Sequence, residues 1–284
     1  MTAIHRPVIV GVDGSEASLG AVRWAADEAV RLRQPLQITH ALGAPDPFEQ
    51  APDEHELASR AAVEARGWQP GLHVTTCTWH GGPARLLVEQ SRHASLVVVA
   101  SRGTGGFHAL PVGSVGVQLA AHAHCPVLVV HSGERWAGPS GALPRYRPVL
   151  VGTDGSAHAQ AAIELAFAEA ASRDVDLTAV RAWQEARDHR DHRGRAARRD
   201  HLADDVQRAL AAELEPWRAK YPAVRVELRS VHGAAVPVLI EEARDALMVV
   251  LGPRGTGGFG SLRLGSVTQQ VLDHASVPVL VARR

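Results

Sequence analysis

Two glycine-rich stretches hold the residues best placed to do chemistry. One, "LGPRGTGGFGSLRLGS" (Leu251–Ser266), follows the apolar run "ALMVV"; the other, "ASRGTGGFHALPVGS" (Ala100–Ser114), is nearly the same text. Glycine tolerates positive φ and lets backbone approach a ligand with no Cβ between them. Consecutive amides in such turns form concave donor nests for anions. Gly265-Ser266 then opens helical text, and the first amides of a helix lack intrahelical acceptors while its dipole favours negative charge. The dipole alone contributes about 0.3–2 kcal/mol. Several amides and Arg254 must therefore act together, and a polyphosphate is the natural guest. The Ser266 hydroxyl is expected either to donate to the same anion or to cap the helix. A Walker loop would place Lys before Ser/Thr, where this chain has Leu264-Gly265. A dinucleotide fingerprint would follow the first strand, whereas these loops follow the fourth.

Positioning such loops takes an ordered sheet, and the sequence supplies one twice. Arg102–Val129 falls on Arg254–Val281 with about 17 of 28 pairs identical, and "VIVGVDGSEAS" (Val8–Ser18) matches "VLVGTDGSAHA" (Val149–Ala159) at a smaller offset. The unequal offsets imply an insertion in the second copy, for which "ARDHRDHRGRAARRDH" is the candidate. Two long copies read as tandem domains, not a solenoid. Their expected limits are 1–132 and 146–284, with a Gly-, Pro- and Arg-rich linker at 133–145.

In the first copy, apolar runs predict strands at Val8–Val12, Leu36–Ala41, His73–Trp79, Leu96–Ala100 and Val127–Val130. Ala-rich text predicts helices at Ala17–Arg33, Asp53–Ala65, Ala84–His93 and Ser114–Ala123, and the second copy repeats the order. Continuous apolar strands suit a sheet covered on both faces, and alternating β and α text implies parallel strands with right-handed crossovers. The fold class is thus α/β, as two tandem doubly wound, five-stranded, mainly parallel sheets. Ligands in such sheets bind beyond the carboxyl ends of the strands where the winding reverses. If it reverses between strands one and four, "GVDGS" meets the glycine loop there.

The spacing Gly252-x2-Gly255-x9-Gly265-Ser266, "GVDGS" ahead of a helix, "ITHAL" in strand two, and "CPVLVV" and "VPVLVA" in strand five come together in this chain. On these features it resembles the universal stress protein family, of the tandem ATP-binding type, whose signature is G-x2-G-x9-G-[S/T]. The resemblance covers nearly the whole chain. It implies an adenine nucleotide alpha hydrolase-like, Rossmann-like fold, bound ATP with Mg²⁺ entering on the phosphates, and a regulatory role in stress or dormancy adaptation. It also implies residue roles. In the second copy Asp154 should face ribose or adenine, and Ala182 should offer backbone to the adenine edge. Gly252, Arg254, Gly255, Gly258, Gly265, Ser266 and Val267 should wrap ribose and phosphates. The first copy's equivalents are Asp13, Ala41, Ala100, Arg102, Gly103, Gly106, Gly113, Ser114 and Val115. Gly11 and Gly152 end strand one where the nucleotide would pass.

Both copies depart from the signature. Ala100 replaces its first glycine; alanine there costs about 1–2 kcal/mol if φ must be positive, and otherwise its methyl crowds the ligand. Pro253 removes an amide donor and pushes Gly252 towards extended geometry. The second copy is expected to be the stronger binder.

Other residues admit two readings. Asp13 and Asp154 precede Gly-Ser and could be turn or N-cap aspartates. His80-Gly81 and His232-Gly233 read as strand-end turns or as a catalytic pair. "DHRDHR" and "HAHCPV", with His122 and His274, lack a defined metal-ligand spacing. Trp24, Trp68 and Trp79 read as core or helix-edge residues, and Arg193–Arg199 as an exposed helical face. Cys77 and Cys125 lie in apolar text and read as buried thiols.

Composition narrows the classes. A chain of 284 residues with 45% hydrophobic content suits two cores. A formal net charge of +0 gives no global attraction to nucleic acid or to an anionic membrane. No secretory signal or bilayer-spanning run is visible, so cytoplasmic residence is expected. Expected partners are an adenine nucleotide and an unidentified protein. The copies are expected to pack with strand five of each near their shared interface, with further homodimerisation open. The rival functions are a slow ATP hydrolase or phosphotransferase, for which only the aspartates and strand-three histidines could position a base or water, and a nucleotide-free scaffold.

Overall fold

The computed structural model describes residues 6–42, 56–103, 113–131, 147–185, 195–256 and 263–283. The first copy alternates β1 (Val8–Val12), α1 (Glu16–Leu32), β2 (Leu36–Leu42), α2 (Glu56–Trp68), β3 (Val74–His80), α3 (Pro83–Gln90), β4 (Leu96–Ala100), α4 (Ser114–His122) and β5 (Val127–Val130). The second follows with β6 (Val149–Gly152), α5 (Ala157–Arg173), β7 (Leu177–Trp183), α6 (Arg195–Lys220), β8 (Val226–His232), α7 (Ala235–Ala243), β9 (Met248–Leu251), α8 (Ser266–His274) and β10 (Val279–Val281). Two compact units result: one joins the first copy to the segment from Pro278 onward, and the other carries the second copy as far as Val277.

The first unit's strands lie in the order β3-β2-β1-β4-β5, all parallel. The second unit's order is β8-β7-β6-β9, again parallel. Winding reverses between β1 and β4, and between β6 and β9, which is where ligands bind in doubly wound sheets. The antiparallel member is β10. It pairs with β5 in the first unit, Val279 opposite Val129 and Val281 opposite Val127. Arg283 secures it, donating from Nε to the Ala123 carbonyl at 3.0 Å and from Nη1 to that of Ala120 at 3.3 Å.

Local signals set the element ends. Ser15 and Ser156 cap α1 and α5, their Oγ atoms accepting from the amides of Ser18 at 3.1 Å and Ala159 at 3.2 Å. Alanines at 21, 25 and 29 are fully buried and let α1 lie close on the sheet. The helical text expected to reach His93 instead leaves α3 at Gln90 and tightens into a 3₁₀ turn at Ser91–His93. The Ser91 hydroxyl explains this, donating to the Val88 carbonyl at 2.6 Å and accepting from the His124 amide at 2.9 Å. Helices α1 and α5 both stop at a non-glycine residue in the left-handed region, Arg33 and Asp174 at φ 54°. That conformation disfavours L residues. Arg33→Gly and Asp174→Gly are each expected to raise stability by about 0.5–1 kcal/mol, seen as a higher denaturant midpoint at unchanged m.

The tryptophans divide. Trp24 is core, 2% exposed. Trp68 sits at the end of α2, its Nε1 donating to Asp27 Oδ1 at 2.9 Å. Trp79 overturns the core or helix-edge expectation: it is 61% exposed, near the carboxyl end of β3, which among the described residues pairs only with β2. The cysteines divide too. Cys125 is buried, and burial pushes its thiol up to about 12 against the Val97 backbone and the Arg6 charge. Cys77 is only half-buried, taking a hydrogen bond from Gln90 Nε2 at 3.5 Å. An aromatic disulfide reagent at pH 8 should therefore titrate Cys77 in the native protein and reach Cys125 only after unfolding.

Candidate functional site

A cleft of about 380 Å³ opens beyond the carboxyl ends of β6, β7 and β9. Gly152, Asp154, Ala182, Gly252, Arg254, Gly255, Gly265, Ser266 and Val267 all line it. Gly258 lies outside the described residues, as does Gly106 in the first copy. Val180, Leu239 and Leu251 make an apolar wall, while Thr153, His158, Thr256 and Thr268 add polar groups. Gly152 is a glycine for a packing reason: a Cβ there would stand 2.6 Å from Leu251 and 2.9 Å from Leu239. In the first copy Gly11 meets Leu87 in the same way, at 2.8 Å.

Asp154 ties two loops together. Its Oδ1 accepts from the Ser156 amide at 3.0 Å and its Oδ2 from the Thr256 amide at 2.5 Å. A Cβ on residue 255 would collide with Oδ2, so any side chain there displaces the Asp154 carboxylate or the loop. Burial pushes the Asp154 carboxyl up, but the hydrogen bonds from Ser156 and Thr256 outweigh it and hold it below the ordinary carboxylate range. Gly103 stands against Asp13 as Gly255 does against Asp154. Asp13 Oδ1 accepts from the Ser15 amide at 3.1 Å and hydroxyl at 2.7 Å. Neither aspartate is an N-cap, because Ser15 and Ser156 take that place.

Each copy caps its first helix with serine and leaves its fourth open. The N-caps of α4 and α8 are Gly113 and Gly265, which offer no side chain. Ser114 and Ser266 are the first helical residues, so the capping reading of the Ser266 hydroxyl is set aside. Gly265 is pinned by its amide on the Pro253 carbonyl at 2.8 Å, and Gly113 by its amide on the Ser101 carbonyl at 2.7 Å. The Ser266, Val267 and Thr268 amides have no acceptor within the helix, and all three residues border the cleft. The Thr268 hydroxyl donates to the Gly252 carbonyl at 2.8 Å, fixing the end of β9 to α8.

The two departures from the signature change meaning here. Ala100 lies within β4 opposite Val130, and its φ is not positive, so alanine carries no backbone strain. Gly252 is not left-handed either. It is needed because α5 comes close, leaving a Cβ only 2.8 Å from the His158 carbonyl oxygen. At the first-copy position matching Pro253, the Ser101 amide donates to Val130 of β5 at 2.8 Å. In the first copy, then, this donor completes the sheet. The remaining first-copy candidates, Ala41, Arg102 and Val115, fall at the ends of β2 and β4 and the start of α4.

Sequence reading missed the group behind the cleft. Glu213 of α6 accepts from Thr153 Oγ1 at 3.0 Å, Gln160 Nε2 at 2.9 Å and Arg181 Nη2 at 2.6 Å. Thr153 Oγ1 accepts in turn from the Gly155 amide at 3.2 Å. The Arg181 and Glu213 side chains are 14% and 8% exposed. Burial pushes the Glu213 carboxyl up, against the Arg181 charge and the Thr153 hydrogen bond, and the Asp154 charge adds to the rise. The first copy has Val12, Leu19 and His40 in place of Thr153, Gln160 and Arg181. That contrast across the repeat was the available signal.

The other candidates stay outside this cleft. His80 and His232 end β3 and β8, and the His232 ring meets Trp183 edge-on at 4.8 Å. His122 and His274 end α4 and α8. "DHRDHR" and Arg193 lie outside the described residues, while Arg199 is exposed on α6. Among the described residues no group of three His, Cys, Asp or Glu could hold a metal ion, and no helix is long and apolar enough to cross a membrane.

The model of the universal stress protein family matches residues 5–131 and 145–283. A universal stress protein of Mycolicibacterium smegmatis is 34% identical over 307 residues, covering 99% of this chain and 98% of its own. Universal stress protein Rv1996 of Mycobacterium tuberculosis is 35% identical over 304 residues, covering 97% and 94%. A universal stress protein crystal structure from Archaeoglobus fulgidus shares the fold, with a TM-score of 0.64 at 18% identity over 99% of this chain and 97% of that one.

Proposed function

This chain belongs to the universal stress protein family, and from that premise we propose that it binds ATP in the second unit's cleft and at the matching place in the first. Its role is that of a nucleotide-dependent regulator in stress or dormancy adaptation. One observation carries the reading: Asp154, Arg254 and the uncapped start of α8 converge on a single cleft that has an apolar wall. Arg254, the Ser266 hydroxyl and the Ser266 and Val267 amides take the phosphates. The Asp154 carboxylate at the rim of the cleft faces the ribose hydroxyls. The Ala182 backbone, beside Val180 and Leu239, receives the adenine edge. A base joined to a polyphosphate matches this division between apolar and donor-rich ends. Bound nucleotide supplies the negative charge that the open helix end favours, and Mg²⁺ rides on the phosphates. Occupancy of the cleft is then the signal a partner reads.

The test is calorimetric titration of the full-length protein with ATP, alongside mass identification of nucleotide released by heat. Titration heat, or a released adenine nucleotide, supports the reading. Protein that releases none and gives no heat overturns it in favour of a scaffold.

A further inference from the structure

We propose that Trp79 walls the base end of the first copy's nucleotide site and makes that site selective for a large aromatic base, a device the second copy lacks. The inference rests on the nucleotide reading above and adds a ligand-reading residue to it.

The position follows from strand register. Trp79 is at the carboxyl end of β3, directly opposite Ala41 of β2. Its counterpart Val231 is opposite Ala182 of β7, which lines the second unit's cleft. The face follows from alternation along the strand. Cys77, two residues earlier, takes a hydrogen bond from Gln90 of α3, so Trp79 projects on the α3 side of the sheet. That side carries the site. Leu87 of α3 stands over Gly11 as Leu239 of α7 stands over Gly152, and Leu239 borders the cleft. Trp79 is therefore one strand spacing, roughly 5 Å, beyond the backbone that receives the adenine edge.

Its exposure needs a reason. A side chain of this size is usually well buried, yet 61% of Trp79 meets solvent, against 2% of Trp24. Among the described residues no hydrogen bond or ring contact engages the Trp79 indole, and the second copy has valine at this place. An indole face there can stack on or abut a base whatever its hydrogen-bond pattern. Val231 offers no such face. The two sites then differ at the base end, where the first adds an aromatic wall that the second lacks.

The experiment compares the full-length protein with its Trp79→Val and Trp79→Phe variants, each also carrying Gly255→Val to silence the second site. ATP and inorganic triphosphate are titrated by calorimetry, and indole fluorescence is followed. With Trp79 present, ATP should quench fluorescence and bind the first site about tenfold more tightly than with valine there. Triphosphate affinity should be unchanged, and Trp79→Phe should keep most of the gain. An exposed residue can be replaced without unfolding the sheet, which an unchanged Tm will verify. If ATP binds the first site equally well with tryptophan and valine, the inference is wrong and the nucleotide reading stands; if only the second site binds, the inference is wrong and the nucleotide reading holds for the second unit's cleft alone. If the unmodified protein gives no ATP heat, both fall.

Discussion

Gly255→Val is expected to abolish nucleotide binding at the second unit while leaving the first unit's site intact. Even the Cβ of the new side chain would collide with Asp154 Oδ2. Relief requires that Asp154 swing away, breaking its 2.5 Å bond from the Thr256 amide, or that the glycine loop lift. A lifted loop also disturbs α8, since Gly265 is pinned to Pro253 two residues away. A hydrogen bond to a charged group contributes about 1.5–3 kcal/mol, and loss of the aligned amides adds to it. An affinity loss of about a hundredfold or more is therefore expected at that site. Calorimetric stoichiometry should fall by one site per chain; unchanged stoichiometry refutes the assignment. The tie itself is robust to pH. A carboxyl held below its ordinary range stabilises the fold above the unfolded value of about 3.9 and loses that contribution only as pH falls through the folded value. Binding should not weaken through loss of this contact anywhere between neutrality and pH 5.

Glu213→Ala is expected to destabilise the second unit by about 3–5 kcal/mol, the usual consequence of removing one partner from a buried ion pair. Arg181 would keep its charge with its carboxylate gone, and its buried Nε already lacks a protein acceptor. Thr153 and Gln160 would lose their acceptor as well. Glu213→Gln retains an acceptor oxygen and should cost less. Replacing Arg181 and Glu213 together by leucine removes both charges together with the cost of burying them and should recover most of the loss. Denaturant midpoints read all three, and a Glu213→Ala protein within about 1 kcal/mol of the parent would refute the account.

Much of the architecture was legible for identifiable reasons. β1, β4 and β5 run between their predicted limits because each is a short β-branched run bounded by proline, glycine or a polar residue. The switch point was legible because the text preserved in both copies is the text that meets there. Glu213 was not. It is one acid among many on a long polar helix, and its three partners come from β6, β7 and α5, so no local spacing marks it. The exposure of Trp79 depends on which strand forms the edge, which period-two text does not encode. The place of Pro253 raises a related question. Whether an amide there belongs to a ligand or to a neighbouring strand is a question of register, and in the first copy the pairing of Ser101 with Val130 answers it.

The placement of β10 bears on biosynthesis. Val127–Val130 leave the ribosome well before Val279–Val281, their antiparallel partners, by roughly ten to thirty seconds at ordinary elongation rates. Through that interval the first unit is a sheet whose β5 border of valine and leucine is unpaired, the kind of border that recruits neighbouring nascent chains. Maturation cannot simply proceed from amino to carboxyl terminus. The earliest-made half stays adhesive until the last-made strand arrives, and a transcript cut short before Pro278 would yield a product prone to clump even though every residue of its first repeat had been translated.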